Sequence, residues 1–342
     1  MDMPTGATRR TILSRFAAAL GAAAVLPGSR TAAMAATVPH GDMFAAEYTA
    51  HKGPVNLHMY RRRIGKPVAG SSPPVLFLVH GSSFGGRSTF DLNVPGKPGY
   101  SMMDVFARYG FDVWTMDHEG YGLSSRTSGN SDIASGVEDI KAGMAVVARE
   151  TGRTRAHFFG ESSGGIRAAA FAVAHPESAD RLALSAFTYT GKGSDTLGKR
   201  AQDLEFYRTH NVRPATRELY RSVFTRDKVG TADPAVGEAL ADAEAKYGDT
   251  VPTGTYFDMV TKLPLVDPAK LHTPVMLARG EYDGIATEED LIDFFTRLPN
   301  HDREFIIIPG AAHSLVLGLN HDRFFYALNA FLTPPPRIDK LG

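Results

Sequence analysis

From residue 75 onward, short continuous apolar runs alternate with stretches whose apolar residues recur every three or four positions. The runs 75–79, 111–116, 156–159, 181–189, 274–278 and 305–308 are apolar throughout or nearly so, as expected of strands covered on both faces of a parallel sheet. Two earlier runs, 44–48 and 55–60, predict an opening pair of strands. Between the runs, 131–150 carries Ile133, Val137, Ile140, Met144 and Val147 on one helical stripe. Thr287-Glu288-Glu289-Asp290 resembles a capping box ahead of another helix, with Asp in the place of the usual Glu or Gln. The stretch 315–332 predicts a last helix, stopped by Pro334, Pro335 and Pro336. Alternation of this kind predicts a doubly wound α/β sheet.

One stretch breaks the rhythm. Between 190 and 269 no strand is evident, and polar helical segments surround 197–210, 216–225 and 235–247. An insertion of that length predicts a helical cap over a site. The domain reading is therefore a core of 36–189 and 270–342, with 190–269 as cap. The segment 81–100, rich in Gly and Pro, starts where a strand ends, which is where α/β sheets place their sites.

Chemistry enters at Gly160-Glu161-Ser162-Ser163-Gly164, between an apolar run and an alanine-rich helix. A serine at the tip of a sharp strand-to-helix turn has an exposed hydroxyl, and the amide after it opens a helix. A hydroxyl needs a base and the base an orienting acid. Asp283 follows one later strand, in Arg279-Gly280-Glu281-Tyr282-Asp283-Gly284, and His313 follows the next. The expected roles are Ser162 as nucleophile, His313 as base and Asp283 as orienting acid, with Glu281 the competing acid. Backbone N–H groups of Ser163 and Ser82 are the expected oxyanion donors. His80 is expected beneath the loop it precedes, and Trp114 in the core. Phe84, Tyr121 and Phe187 are candidate pocket residues, and Tyr207, Tyr220, Tyr256 and Phe257 could line an entrance through the cap.

These residues resemble the α/β-hydrolase superfamily. The resemblance is carried by His80-Gly81, by Asp117-His118-Glu119-Gly120-Tyr121-Gly122-Leu123-Ser124, by the elbow, and by Asp283 and His313. The 117–124 turn looks like that of lysophospholipase-like and monoglyceride-lipase-like members and reads as structural. Where the family usually has H-G-x-P, this chain has Ser83 in place of proline. The resemblance implies an eight-stranded, mostly parallel sheet flanked by helices, a helical cap after the sixth strand, and no metal or organic cofactor. A serine nucleophile, rather than the aspartate of haloalkane dehalogenases and epoxide hydrolases, points to acyl transfer to water. The expected activity is ester hydrolysis of the carboxylesterase or lipase kind. An amidase, a carbon–carbon bond hydrolase or a perhydrolase on the same triad is the alternative, and a non-catalytic binding module is a third reading.

Composition narrows the partners. Lys plus Arg equals Asp plus Glu at 37 each, so no global field calls for nucleic acid. With no cysteine, disulfides and thiolate sites are excluded. The expected partner is a small-molecule ester, apolar or aromatic in part. The first 35 residues, with Arg9-Arg10, an apolar stretch 16–26 and an Ala-x-Ala-like end at 33–35, predict an export signal of twin-arginine type. The expected location is periplasmic or secreted, with no membrane span once the signal is removed. Oligomeric state leaves no mark on the sequence.

Overall fold

A computed structural model describes residues 41–68, 72–336 and 338. The predicted export signal lies outside them. An opening hairpin of β1 (Met43–Lys52) and β2 (Val55–Ile64) leads into β3 (Val75–Val79). Helices α1 (Gly86–Phe90) and α2 (Met102–Arg108) precede β4 (Asp112–Met116). Then come α3 (Ile133–Thr151), β5 (Ala156–Glu161), α4 (Ser163–Ala174) and β6 (Ala179–Ser185). An insertion follows, made of α5 (Asp195–Ala201), α6 (Leu204–Thr209), β7 (Val212–Pro214), α7 (Arg217–Val223), α8 (Pro234–Glu244), β8 (Thr250–Pro252) and α9 (Gly254–Thr261). The chain closes with β9 (Val275–Gly280), α10 (Glu288–Arg297), β10 (Arg303–Ile308) and α11 (His321–Leu332).

Eight strands form one sheet in the order β1-β2-β4-β3-β5-β6-β9-β10. Only β1–β2 and β2–β4 pair antiparallel; the remaining neighbours are parallel. Successive side chains of a strand point to opposite faces, and the apolar runs use both. Val75, Phe77 and Val79 pack with Ile140, Ile166 and Phe171 on one face. Leu76 and Leu78 pack with Phe106, Phe324 and Leu328 on the other. Trp114 is fully buried and carries the Arg61 guanidinium 4.7 Å from its ring centre.

Two elements differ from the sequence reading. The insertion contains a two-stranded antiparallel ribbon, β7–β8, where no strand was expected; three-residue strands are too short to leave a periodic signal. The last helix begins at His321 rather than at 315. The Leu319 N–H, which a helix starting at 315 would bond to the Leu315 carbonyl, bonds the Thr231 carbonyl instead. At α10, Thr287 caps the N–H of Asp290. The Asp290 carboxylate does not reach back as a capping box would; it accepts N–H bonds from Tyr189, Thr190 and Gly191.

Candidate active site

The elbow is built by close approach. Strand β5 ends at Glu161 and α4 begins at Ser163, so Ser162 turns the chain alone, at φ 58° and ψ −127°. A non-glycine residue at positive φ is strained by about 1–3 kcal/mol and is held there by its surroundings. The surroundings are tight: a Cβ on Gly160 would stand 2.4 Å from the Gly164 carbonyl oxygen, and one on Gly164 would stand 2.2 Å from that of Val79. Both positions require glycine.

His313 and Asp283 arrive from the loops after β10 and β9. His313 Nε2 is 3.0 Å from Ser162 Oγ, and His313 Nδ1 is 2.9 Å from Asp283 Oδ1. A carboxylate only accepts, so Nδ1 carries the proton and Nε2 is free to accept from the serine hydroxyl. Asp283 Oδ1 also receives the N–H groups of Ile285 and Ala286, at 2.9 and 3.1 Å. Burial alone would raise the Asp283 pKa, but His313 and these two N–H groups outweigh it and hold it below the usual carboxylate value. Glu281 instead accepts the Gly310 N–H. The structure thus brings Ser162, His313 and Asp283 together.

The 80–84 loop is fixed from below. His80 Nδ1 donates to the Gly81 carbonyl at 2.7 Å, and its Nε2 accepts the His118 N–H at 3.0 Å. The backbone donor fixes this tautomer, and burial keeps the ring neutral, its pKa well below 6.5. The Ser82 carbonyl is tied back by the Tyr121 hydroxyl at 3.1 Å and by Arg213 Nη2 at 2.7 Å. Both Ser82 and Ser163 are buried. Ser163 is the first residue of α4, where N–H groups have no partner within the helix. Asp117 accepts the N–H groups of Gly86 and Leu123 and the Tyr60 hydroxyl, which makes the 117–124 turn structural.

The cavity at Ser162 is narrow, about 30 Å³, and Phe84, Val223, Arg200, Arg226 and Glu161 line it. Of the three aromatic residues expected there, only Phe84 reaches it. Tyr121 and Phe187 do not: the Tyr121 ring packs against His80 at 4.8 Å under the loop, and Phe187 packs against Phe294 at 4.8 Å. Both are 1% exposed, core residues at strand ends rather than pocket walls. The lining is more cationic than the expected apolar one. Tyr256 sits behind it, its ring 3.9 Å from Arg200 Cζ and 4.1 Å from Arg213 Cζ. The sequence reading missed these arginines, because Arg scattered through a polar insertion looks like solvated surface.

Glu161, the residue before Ser162, is 5% exposed. Burial pushes its pKa up to about 7, against the pull of His313 and of bonds from Val316, Ser314 and Leu315. Among the described residues, one group of three side chains could hold a metal ion: Asp227, Asp283 and His313. Most of its ligand atoms are already engaged: both His313 nitrogens and Asp283 Oδ1 in the relay, and Asp227 with Arg226 at 2.9 Å; Asp283 Oδ2 alone is buried without a hydrogen-bond partner. The group reads as a hydrogen-bonded relay with a neutralised carboxylate beside it.

The sheet order, the elbow and the ordered Ser, Asp and His define an α/β-hydrolase. The family described as serine aminopeptidase S33 (Hydrolase_4) matches residues 100–319, well over half of the chain, and the protein belongs to this family. Similar curated proteins include the 2-hydroxy-6-oxononadienedioate/2-hydroxy-6-oxononatrienedioate hydrolase of Burkholderia vietnamiensis (strain G4 / LMG 22486), 35% identical over 120 residues. The protein of the same name from Paraburkholderia phymatum is 32% identical over 126 residues. In both cases the match spans 34% of this chain and 36% of the relative. Among solved structures, the 2-hydroxy-6-oxo-6-phenylhexa-2,4-dienoate hydrolase of Rhodococcus sp. strain RHA1 superposes with a TM-score of 0.61 at 19% identity, covering 85% of this chain and 99% of that one. The enol-lactonase of Burkholderia xenovorans LB400 superposes with a TM-score of 0.63 at 18% identity, covering 83% and 99%. At these identities the structural likeness shows the fold. Among the described residues no helix is long and apolar enough to cross a membrane.

Proposed function

We propose that this protein is a serine hydrolase that cleaves a carboxylic ester through an acyl-enzyme on Ser162. The observation that carries the reading is the relay at the strained elbow, with 3.0 Å from Ser162 Oγ to His313 Nε2 and 2.9 Å from His313 Nδ1 to Asp283. His313 takes the hydroxyl proton as Oγ adds to the ester carbonyl. The oxygen that becomes negative faces the N–H groups of Ser163 and Ser82, each such donor contributing about 3 kcal/mol to the transition state. Collapse expels the alkoxide, which takes the proton from His313. Water then adds to the acyl group, giving its proton to His313, and Ser162 leaves reprotonated. Asp283 holds the imidazole in its tautomer and offsets the charge it gains. A fluorophosphonate probe should label the protein and fail on Ser162→Ala. Absence of labelling together with absence of turnover on short p-nitrophenyl esters would sink the proposal.

A second reading, hydrolysis of a carbon–carbon bond beside a ketone, is favoured by the names of the two curated relatives. Parallel assays with esters and vinylogous diketones separate the two. Residues 1–35 are proposed as a twin-arginine export signal, on the strength of Arg9-Arg10 and the apolar stretch that follows. Cell fractionation tests this: the tagged protein should move to the exported fraction, and Arg9→Lys with Arg10→Lys should retain it in the cytoplasm.

A further inference from the structure

The insertion presents two guanidinium groups to a single tyrosine ring, with no carboxylate in an ion pair with either. Arg200, on α5, and Arg213, on β7, lie 3.9 and 4.1 Å from the centre of the Tyr256 ring. Neither forms an ion pair among the described residues. Arg200 Nη1 and Arg213 Nε are buried without a hydrogen-bond partner. Stacking on an aromatic face accounts for flat guanidinium planes, but it leaves an in-plane N–H without an acceptor, and a buried N–H or charge left unpaired is costly.

The two arginines have different tasks. Arg213 spends its Nη2 on the Ser82 carbonyl and on Ser83 Oγ, at 2.7 and 3.3 Å, so it braces the loop. Arg200 has no such duty and lines the cavity shared with Ser162. Arg226 lines it too, but Asp227 already neutralises it at 2.9 Å. Glu161 offers little counter-charge below about pH 7, where burial keeps it protonated. Burial would raise the Tyr256 pKa, but Arg200 and Arg213, with a bond from Ser83 and the Arg226 charge, bring it down to about 7. A phenol so depressed reports an excess of positive charge around it, which its own ionisation offsets only in part and only above about pH 7.

We propose that Arg200 anchors a carboxylate subsite, and that the substrate carries a free carboxylate a short spacer away from the carbonyl that Ser162 attacks. Guanidinium suits this ligand because its planar N–H fork matches both carboxylate oxygens. The Tyr256 ring backs that fork, its centre 3.9 Å from Arg200 Cζ. The subsite replaces the expected apolar or aromatic substrate end with an acidic one, and it rests on the reading of Ser162 as the nucleophile.

The test uses mono-p-nitrophenyl glutarate and p-nitrophenyl pentanoate, which differ by a carboxylate in place of a methyl group. Binding is measured by calorimetry on Ser162→Ala, which cannot turn them over, and hydrolysis on the wild type. The glutarate ester should bind Ser162→Ala roughly ten- to hundredfold more tightly, and Arg200→Gln in that background should bring the two esters to near equality. Equal binding, or tighter binding of the pentanoate, overturns the proposal without any arginine variant, so a misfolded Arg200→Gln does not blunt the test. A folded Arg200→Gln that keeps the preference also overturns it. Tight, selective binding with no wild-type turnover and no labelling of Ser162 sinks the nucleophile reading and leaves the subsite standing.

Discussion

Replacing Glu161 by Gln should remove a pH-dependent weakness from the centre of the molecule. The carboxyl is buried beside Ser162, and its pKa is raised from 4.5 to about 7 in the fold. It binds its proton more tightly folded than unfolded, so its contribution to stability is complete below pH 4.5 and is lost as pH rises through 7. The difference, 7 minus 4.5, is worth about 3 kcal/mol at 1.36 kcal/mol per unit. Gln keeps the shape, and its amide oxygen still accepts the Ser314 hydroxyl, but it cannot ionise. The stability difference should therefore move in favour of the variant by about 2.5 kcal/mol between pH 5 and pH 9. Titrating groups that do not interact with Glu161 cancel in the comparison. Glu244, also raised to about 7 by burial, weakens both proteins as pH rises. His118 and His157, both lowered to about 4 chiefly by burial, weaken both as pH falls from 6.5 through 4. Urea unfolding at unit steps from pH 5 to 9 reads the difference directly. Parallel curves for the two proteins across that range would refute the argument that the buried carboxyl must take up its proton to fold.

The remaining predictions concern the relay and the frame that holds it. Asp283→Asn should slow fluorophosphonate labelling by roughly 10²–10³-fold, short of the ~10⁴-fold of an inverted tautomer. The N–H groups of Ile285 and Ala286 select the amide oxygen at Oδ1, so His313 keeps its proton on Nδ1 and only the charge is lost; a loss of 10⁴ or more would show that the amide flips. Gly164→Ala should cost about 3 kcal/mol or more and abolish labelling, since its Cβ would stand 2.2 Å from one backbone oxygen and 2.5 Å from another; a normally labelled variant would show that the elbow yields. Asp112→Ala, far along β4 from the site, should cost about 3–5 kcal/mol by stranding Arg61, whose side chain is 1% exposed. Labelling per folded molecule should stay at the wild-type rate, and a slower rate would mean that this pair also shapes the site.

Legibility from sequence followed the range of the forces involved. The sheet strands were readable because burial on both faces demands apolar residues at every position, which a run such as 75–79 displays directly. The elbow was readable because two backbones approach too closely for any side chain at Gly160 and Gly164. Asp283 and His313 were readable because strand ends deliver loops to one edge of the sheet in chain order. Tertiary contact decided the rest. Whether Phe84 or Tyr121 faces the cavity turns on which ring His80 already occupies. Whether 315–320 is helical turns on the Thr231 carbonyl of the insertion, which claims the Leu319 N–H. The charge of the pocket was least visible of all. Arg200, Arg213 and Tyr256 lie on three elements of the insertion, and an arginine at a surface and one stacked beside a cavity have the same sequence signature. Local rules thus picked out Ser162, Asp283 and His313, which the fold brings within hydrogen-bond reach, while the insertion, whose burial depends on how it folds back on the sheet, set the charge of the cavity beside them.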